Sequence, residues 1–167
     1  MLLAGDIYDG DWKDYSTGIF LSQQIGKLKA HNIHVYAVAG NHDAANKMTK
    51  ALDSPSNMTI LASRKVEKIH LADLGVMIHG RSFGTQHVHD NLVTGFAAAD
   101  KDCFNIGLLH TSLDGREGHA PYAPCTVDDI ALQRLPVLGV GACASARIRG
   151  ARPVDCVPRL FAGAAYP

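Results

Sequence analysis

The sequence predicts an α/β protein built on a parallel sheet, and two stretches carry that prediction. Val35-Tyr-Ala-Val-Ala39 is a small, apolar run that leads straight into Gly40-Asn41-His42-Asp43. An apolar run bounded by Gly reads as a strand buried on both faces. Met1-Leu-Leu-Ala4 has the same character and runs into Gly5-Asp6-Ile-Tyr-Asp9-Gly10. An amphipathic segment lies between the two strands, and a strand–helix–strand unit implies parallel pairing through a right-handed crossover. Both turns then leave the same edge of the sheet, where open α/β folds place their ligands. Asp6 and Asn41 are therefore expected to be neighbours in space.

The remaining elements follow in chain order. Met1–Ala4 starts a strand at the first residue, which raises the expectation of an N-terminal truncation. From Trp12 to Ala30 the residues Tyr15, Ile19, Phe20, Ile25 and Leu28 recur at near-helical spacing, with Lys13, Lys27 and Lys29 among the polar positions. That pattern predicts an amphipathic helix stopped by His31-Asn32. Ile33 to Ala39 is the second strand. A short helix is expected from Asp43 to Leu52, closed by Asp53-Ser54-Pro55. Met58–Leu61, Val66–His70 and Gly75–His79 read as strands, the middle one alternating as an edge strand should. Asp90 to Ala99 is helix-prone. Phe104-Asn-Ile-Gly-Leu-Leu-His110-Thr111 is another apolar strand ending in histidine, and Thr126 with Asp128 marks the start of a last short helix.

Composition narrows the function classes. At 167 residues the chain suits one domain with a sizeable core. Sixteen basic and sixteen acidic residues leave no net charge, so no broad electrostatic case exists for nucleic acid or membrane. Local patches remain open, and Lys13, Arg81 and Arg116 could line a groove. Four cysteines occur without a C-x-x-C pair, which points to a reducing cytoplasm. No apolar run approaches the length of about 18 residues that spans a bilayer, so no membrane partner is expected.

Three strands thus end in Asp6, in Asn41-His42 and in His110. Each ending is ambiguous alone: G-D-x-x-D is common in turns, Gly-Asn makes an ordinary turn, and a strand-terminal histidine is more often structural. Together they form a chemistry kit. A carboxylate can bridge two cations, an Asn carbonyl is a neutral hard ligand, and imidazoles suit manganese, iron or zinc. Catalytic metal sites draw ligands from several strand ends and leave positions open for water and substrate. His42, beside a ligand, could protonate a leaving oxygen.

In this order and spacing, Gly5-Asp6-x-x-Asp9, Gly40-Asn41-His42-Asp43 and strand-His110 resemble three successive motifs of the calcineurin-like metallophosphoesterases. The longer strings Tyr8-Asp-Gly-Asp-Trp12, Gly40-Asn-His-Asp-Ala-Ala45, Gly107-Leu-Leu-His-Thr-Ser112, Asp114-Gly-Arg-Glu-Gly118 and Tyr122-Ala-Pro-Cys125 are similar to the bacterial DNA-repair exonuclease branch, the SbcD-like enzymes. The resemblance implies a four-layer α/β/β/α sandwich and phosphodiester hydrolysis at a site for two divalent metal ions, with Mn2+ expected. It implies Asp6 as the bridging ligand, Asn41 and His110 on the second metal, and His42 as general acid. Asp9 and Asp43 become supporting partners of the ligands, and His79 a weaker candidate for the same role. DNA is the implied substrate, and an SMC-like ATPase the implied partner.

The departures matter as much. The family opens with a strand ending in Asp-x-His, and only five residues precede Asp6; it closes its site with Gly-His-x-His, a string absent after residue 119. The fold is therefore expected to be incomplete at both ends, with at most one metal held and activity impaired. His87-Val-His89 has a legitimate ligand spacing but the wrong place in the order, so a surface loop is the expected reading. His119 is likewise read as a loop residue. The domain is assigned to residues 1–133. From Arg134 to Pro167 the chain has five Arg, no Lys, one acidic residue (Asp155), and poor helical or strand periodicity. With suitably chosen codons, reading 137–148 one nucleotide later yields Tyr-Trp-Ala-Leu-Gly-His-Val-His-Gln-Arg-Glu, which contains the missing string. Residues 134–167 are accordingly expected to be an out-of-frame, poorly ordered tail. A phosphatase or cyclic-nucleotide phosphodiesterase on the same scaffold, and a non-catalytic binding remnant, stand as the alternatives.

Overall fold

The computed structural model describes residues 1–8, 15–46, 53–112 and 122–133, together with the strand backbones at 137–141 and 147–148. Two sheets form the frame. The first has the order β1 (Leu2–Ala4), β2 (Val35–Val38), β3 (Met58–Ile60), all parallel. The second has the order β4 (Glu67–Leu71), β5 (Val76–Arg81), β6 (Phe104–His110), β7 (Val137–Gly141), β8 (Arg147–Ile148), with β5, β6 and β7 parallel. The expected parallel pairing of β1 with β2 is present, with Leu2 opposite Tyr36 and Ala4 opposite Val38.

The sheets pack face to face. Val38 of β2, Ile78 of β5, Leu108 of β6 and Leu61 form one buried cluster, with Ala4, Tyr36, Ile69, Leu71 and Val76 around it. Side chains alternate across a strand, so Val35 and Ala37 face the other way, and both are also fully buried. The central sheet strand is thus covered on both sides, as its unbroken apolar sequence requires. On the outer face of the second sheet, Leu109 joins Phe83, Leu92, Val93, Phe96, Ala123 and Cys125 in a second cluster. This mixed α/β arrangement of two sheets agrees with the predicted class.

Helix α1 spans Ser16–Lys29, inside the expected range. Only part of the expected stripe is packed: Ile25 is buried and Leu28 partly buried, whereas Tyr15, Ile19 and Phe20 are about half exposed and Gly18 is buried instead. The helix ends where Asn32 adopts a left-handed backbone, φ 55°, and the Ile33 N–H returns to the Leu28 carbonyl. Asn is among the residues that tolerate this conformation best. Asn57 then ties the helix to the sheet, its Nδ2 donating to the carbonyls of Ile25 (2.9 Å) and Ile33 (3.2 Å).

Elsewhere the elements differ in detail. Helix α2 runs Asn41–Ala45, so Asn41 and His42 lie in its first turn rather than before it; the expected extension over 47–52 lies outside the described residues. The helix-prone stretch 90–99 yields only a single 3-10 turn, Leu92–Gly95. There the Asn91 side chain accepts the Val93 N–H and Thr94 Oγ1 donates to the Asn91 carbonyl, local bonds that compete with a longer helix. β4 alternates and sits at a sheet edge as expected. Helix α3, Val127–Leu132, begins with a reciprocal cap: Asp129 N–H donates to Thr126 Oγ1 and Thr126 N–H to Asp129 Oδ2. After Arg134 strand periodicity is poor, yet 137–141 pairs with β6, because ladder bonds use the main chain and need no alternation. The expectations for the rest of 134–167 and for His119 lie outside the described residues.

His79 corrects an expectation. It follows Ile78, which faces the other sheet, so its ring lies on the outer face of the second sheet, opposite to the ends of β1 and β2. It is fully buried, and Nε2 donates to Asn105 Oδ1 at 2.8 Å, an oxygen that also accepts the Asp100 N–H. Nδ1 has no hydrogen-bond partner. Burial holds this imidazole below its ordinary pKa, only partly offset by the Asn105 bond. The stabilising neutral form is complete above the unfolded value of about 6.5 and is lost as pH falls toward the lower folded value. Melting temperature should therefore drop between pH 7.5 and pH 5.5, and the drop should be smaller in His79→Gln; equal drops in both proteins would contradict this account.

Candidate functional site

Three strand ends meet at one rim of the sandwich. β1 ends at Ala4, and Gly5 and Asp6 turn away with positive φ, 86° and 44°. For a non-glycine residue the left-handed region costs energy and marks a position the surroundings hold in place. Gly5 has a separate reason to lack a side chain: a Cβ there would sit 2.5 Å from His110 Nδ1. Gly40 has another, because a Cβ there would overlap Asp6 Oδ1. The glycines of both motifs clear space for the ring of one partner and the carboxylate of the other.

His110 is the centre of the cluster, 1% exposed at the end of β6. Its Nδ1 lies 3.0 Å from the Ala4 carbonyl oxygen, which can only accept, so Nδ1 carries the hydrogen. The other nitrogen, Nε2, lies 3.1 Å from Asn41 Oδ1 and 3.4 Å from Asp6 Oδ2. Two oxygens that seek positive charge thus converge on a nitrogen that in neutral imidazole offers only a lone pair. A proton at Nε2 satisfies them. Burial disfavours the charged ring, but the Asp6 contact and charge outweigh it, and the His110 pKa rises above its ordinary value. Asp6 moves the opposite way: burial would raise its pKa, but His110 and the His42 N–H hold it below the usual carboxylate range.

A divalent cation satisfies the same three donors. A carboxylate, an amide oxygen and an imidazole whose far nitrogen is committed to a carbonyl form an ordinary hard-metal ligand set. Among the described residues no group of three or more His, Cys, Asp or Glu side chains is spaced to hold a metal, and Asp6 with His110 makes three donors only when the amide of Asn41 is counted.

Around the donors the chain is tightly fixed. The His42 N–H donates to Asp6 Oδ1 at 3.1 Å. Asp43, 2% exposed, accepts three main-chain N–H groups: Gly40 at 2.9 Å, Ile7 at 3.2 Å and Tyr8 at 3.1 Å. It binds the turn after β1 to the turn after β2, so the two motifs are held as one unit. Burial pushes the Asp43 pKa up despite those three bonds, and it raises that of Tyr8 as well. The His42 imidazole is half-buried and makes no hydrogen bond with any described residue. The structure therefore brings together Asp6, Asn41, His42, Asp43 and His110; it leaves His79 on another face, and Asp9 lies outside the described residues.

Two contributors were missed by sequence reasoning. The Ala4 carbonyl fixes the His110 tautomer, a backbone role no residue type announces. Phe83 sets its ring edge-on to His110, centroids 5.4 Å apart at 84°, and its N–H donates to the Ala39 carbonyl at 2.9 Å. Its only signal was a position just past β5.

Comparisons with known proteins place the chain in a family. The family model of the calcineurin-like phosphoesterases matches residues 1–137. The chain belongs to the calcineurin-like phosphoesterase family. It is 31% identical over 144 residues to a Bacillus subtilis (strain 168) protein described as the uncharacterized metallophosphoesterase YhaO. That match covers 84% of this chain and 35% of the relative, so the chain spans about a third of the relative's length. No helix among the described residues is long and apolar enough to cross a membrane.

Asp43 provides a test of the clamp. Asp43→Ala leaves one buried and two partly buried N–H groups without this acceptor and should cost on the order of 3 kcal/mol in urea unfolding, at the upper end for one lost polar partner. A loss below about 1 kcal/mol would show that the two turns hold without it.

Proposed function

We propose that this chain carries part of the hydrolytic site of a metal-dependent phosphodiesterase acting on DNA, of the exonuclease type found in DNA repair. The observation that supports it most is the His110 ring: Nδ1–H is committed to Ala4, and Nε2 faces the oxygens of Asn41 and Asp6. Asp6, Asn41 and His110 would hold a divalent cation, with manganese the expected ion. When bound, the cation neutralises charge on the phosphoryl oxygens and acidifies water for attack on phosphorus. The protein's share is positioning and proton transfer. Asp6 is fixed by the His42 N–H and by its left-handed turn. His42, its imidazole free of hydrogen bonds to the described residues, gives a proton to the ester oxygen as the P–O bond to the leaving strand breaks. Asp43 keeps both groups in one frame.

The DNA assignment rests on the longer strings shared with the DNA-repair exonuclease branch and not on the cluster itself, which would serve a phosphatase or cyclic-nucleotide phosphodiesterase equally. An SMC-like ATPase as partner belongs to the same proposal. The ligand strings Asp-x-His and Gly-His-x-His are absent from this sequence, so the expected turnover of this chain alone is weak. Effects of residues that act as a unit are not additive, and the loss of one member can cost nearly as much as the loss of all.

Calorimetric titration of the chain with MnCl2 should show one binding event, lost in Asp6→Ala and in His110→Ala. Manganese-dependent cleavage of linear DNA and of bis-p-nitrophenyl phosphate should fall about a hundredfold or more in His42→Ala. Preference for linear DNA over p-nitrophenyl phosphate monoester separates nuclease from phosphatase. Manganese binding that is untouched by both ligand substitutions would overturn the proposal.

A further inference from the structure

The segment His87-Val88-His89 plays no part in the cluster described above, yet it is firmly built. Thr85 Oγ1 donates to the His87 carbonyl at 3.1 Å, and the Ala123 N–H donates to the Val88 carbonyl at 2.6 Å. Val88 packs on the core cluster of Phe83 and Leu109, while His87 and His89 are exposed. Their rings are nearly parallel, 11° apart, with centroids separated by 6.5 Å, and Tyr122 stands 5.7 Å from His87. Two parallel rings at that spacing sit at close to twice the roughly 3.4 Å stacking rise of bases in a strand.

Both histidines line a cleft of about 360 Å³ with Ser63, Arg81, Thr85 and Asp90. Arg81 is half-buried, and its Nε donates to the Ser63 carbonyl at 3.0 Å, which fixes the plane of the guanidinium. Its two terminal nitrogens have no hydrogen-bond or ion-pair partner among the described residues, and the Asp90 carboxylate in the same cleft is not paired with it. A guanidinium with both terminal nitrogens open is suited to take a phosphate by two parallel bonds. Asp90 offers an acceptor to the amino group of a base.

Two hydrogen-bonded links join the walls of the cleft to residues next to Gly40 and His110. Ser82, in its wall, accepts the Ala39 N–H at 3.0 Å, one residue before Gly40. Thr111, next to His110, donates to the carbonyl of Ala123, whose own N–H holds Val88. We propose that this cleft is a nucleotide subsite, in which His87 and His89 hold one base of a single strand and Arg81 grips an adjoining phosphate. Stacking on aromatic rings and charge on the backbone are the two ingredients of strand binding without sequence preference. The inference deepens the phosphodiesterase reading, on which it rests for its substrate class: the substrate is a polynucleotide end with a neighbouring base and phosphate, not an isolated phosphate monoester.

The test uses the full chain in EDTA and a fluorescein-labelled five-nucleotide deoxyadenylate strand, read by fluorescence anisotropy. Saturable binding is expected. His87→Ala with His89→Ala should weaken it about tenfold or more, whereas His87→Phe with His89→Phe should restore it, since stacking is kept. Arg81→Ala should weaken binding about tenfold and flatten its salt dependence. Circular dichroism spectra matching the parent exclude unfolding as the cause. Absence of saturable binding, or equal affinity in the alanine variants and the parent, overturns the subsite. Because EDTA removes any role of metal, a chain that cleaves bis-p-nitrophenyl phosphate but ignores the strand keeps the hydrolytic reading and loses this one, and a chain that binds but never cleaves does the reverse.

Discussion

The arrangement depends on one hydrogen bond between the two sheets. His110 closes β6 in the second sheet, and its Nδ1–H reaches the carbonyl of Ala4 at the end of β1 in the first. That bond sets which nitrogen is left over and where it points. It also brings β6 close enough to the β1 turn that Gly5 has no room for a side chain. Side-chain donors on two separate sheets could otherwise drift with any sliding of one layer over the other. Here the layer contact and the site contact are the same contact, and the apolar cluster of Val38, Leu61, Ile78 and Leu108 lies directly behind it.

Charge inside the cluster is managed by pairing rather than by solvent. Asp6 and Asp43 are two carboxylates within a few residues of one another in space, which is costly unless each has its own partners. Asp6 is given His110 and one N–H; Asp43 is given three N–H groups and, among the described residues, no ion pair. The two acids are consequently driven apart in acidity, the pKa of Asp6 lowered and that of Asp43 raised.

Much of this could be read in the residues. Two apolar runs ending in Gly-Asp and Gly-Asn-His-Asp, joined by a helix, fixed the parallel pair and therefore the meeting of Asp6 with Asn41. The strand ending in His110 was legible for the same reason. What escaped was information that lives in register and in the main chain. Whether His79 faces the site depends on the parity of β5 relative to Ile78 and Leu108, which pairing with β6 sets and the sequence of β5 alone does not. The stretch 90–99 has helix-forming residues, but the Asn91 side chain caps a tight turn before a helix can propagate. The face of α1 was misjudged because Gly18, which carries no apolar signal, is one of its buried positions.

Gly40 shows what the spelling of the second motif records. A methyl group at that position would occupy the volume of Asp6 Oδ1. The residue is therefore small on behalf of a neighbour 34 positions earlier, and its identity measures interatomic clearance rather than the needs of its own turn. Any bulk introduced there would push the carboxylate off its nitrogen although Asp6 itself is unchanged. A residue with no functional group thus governs the aim of one that has it.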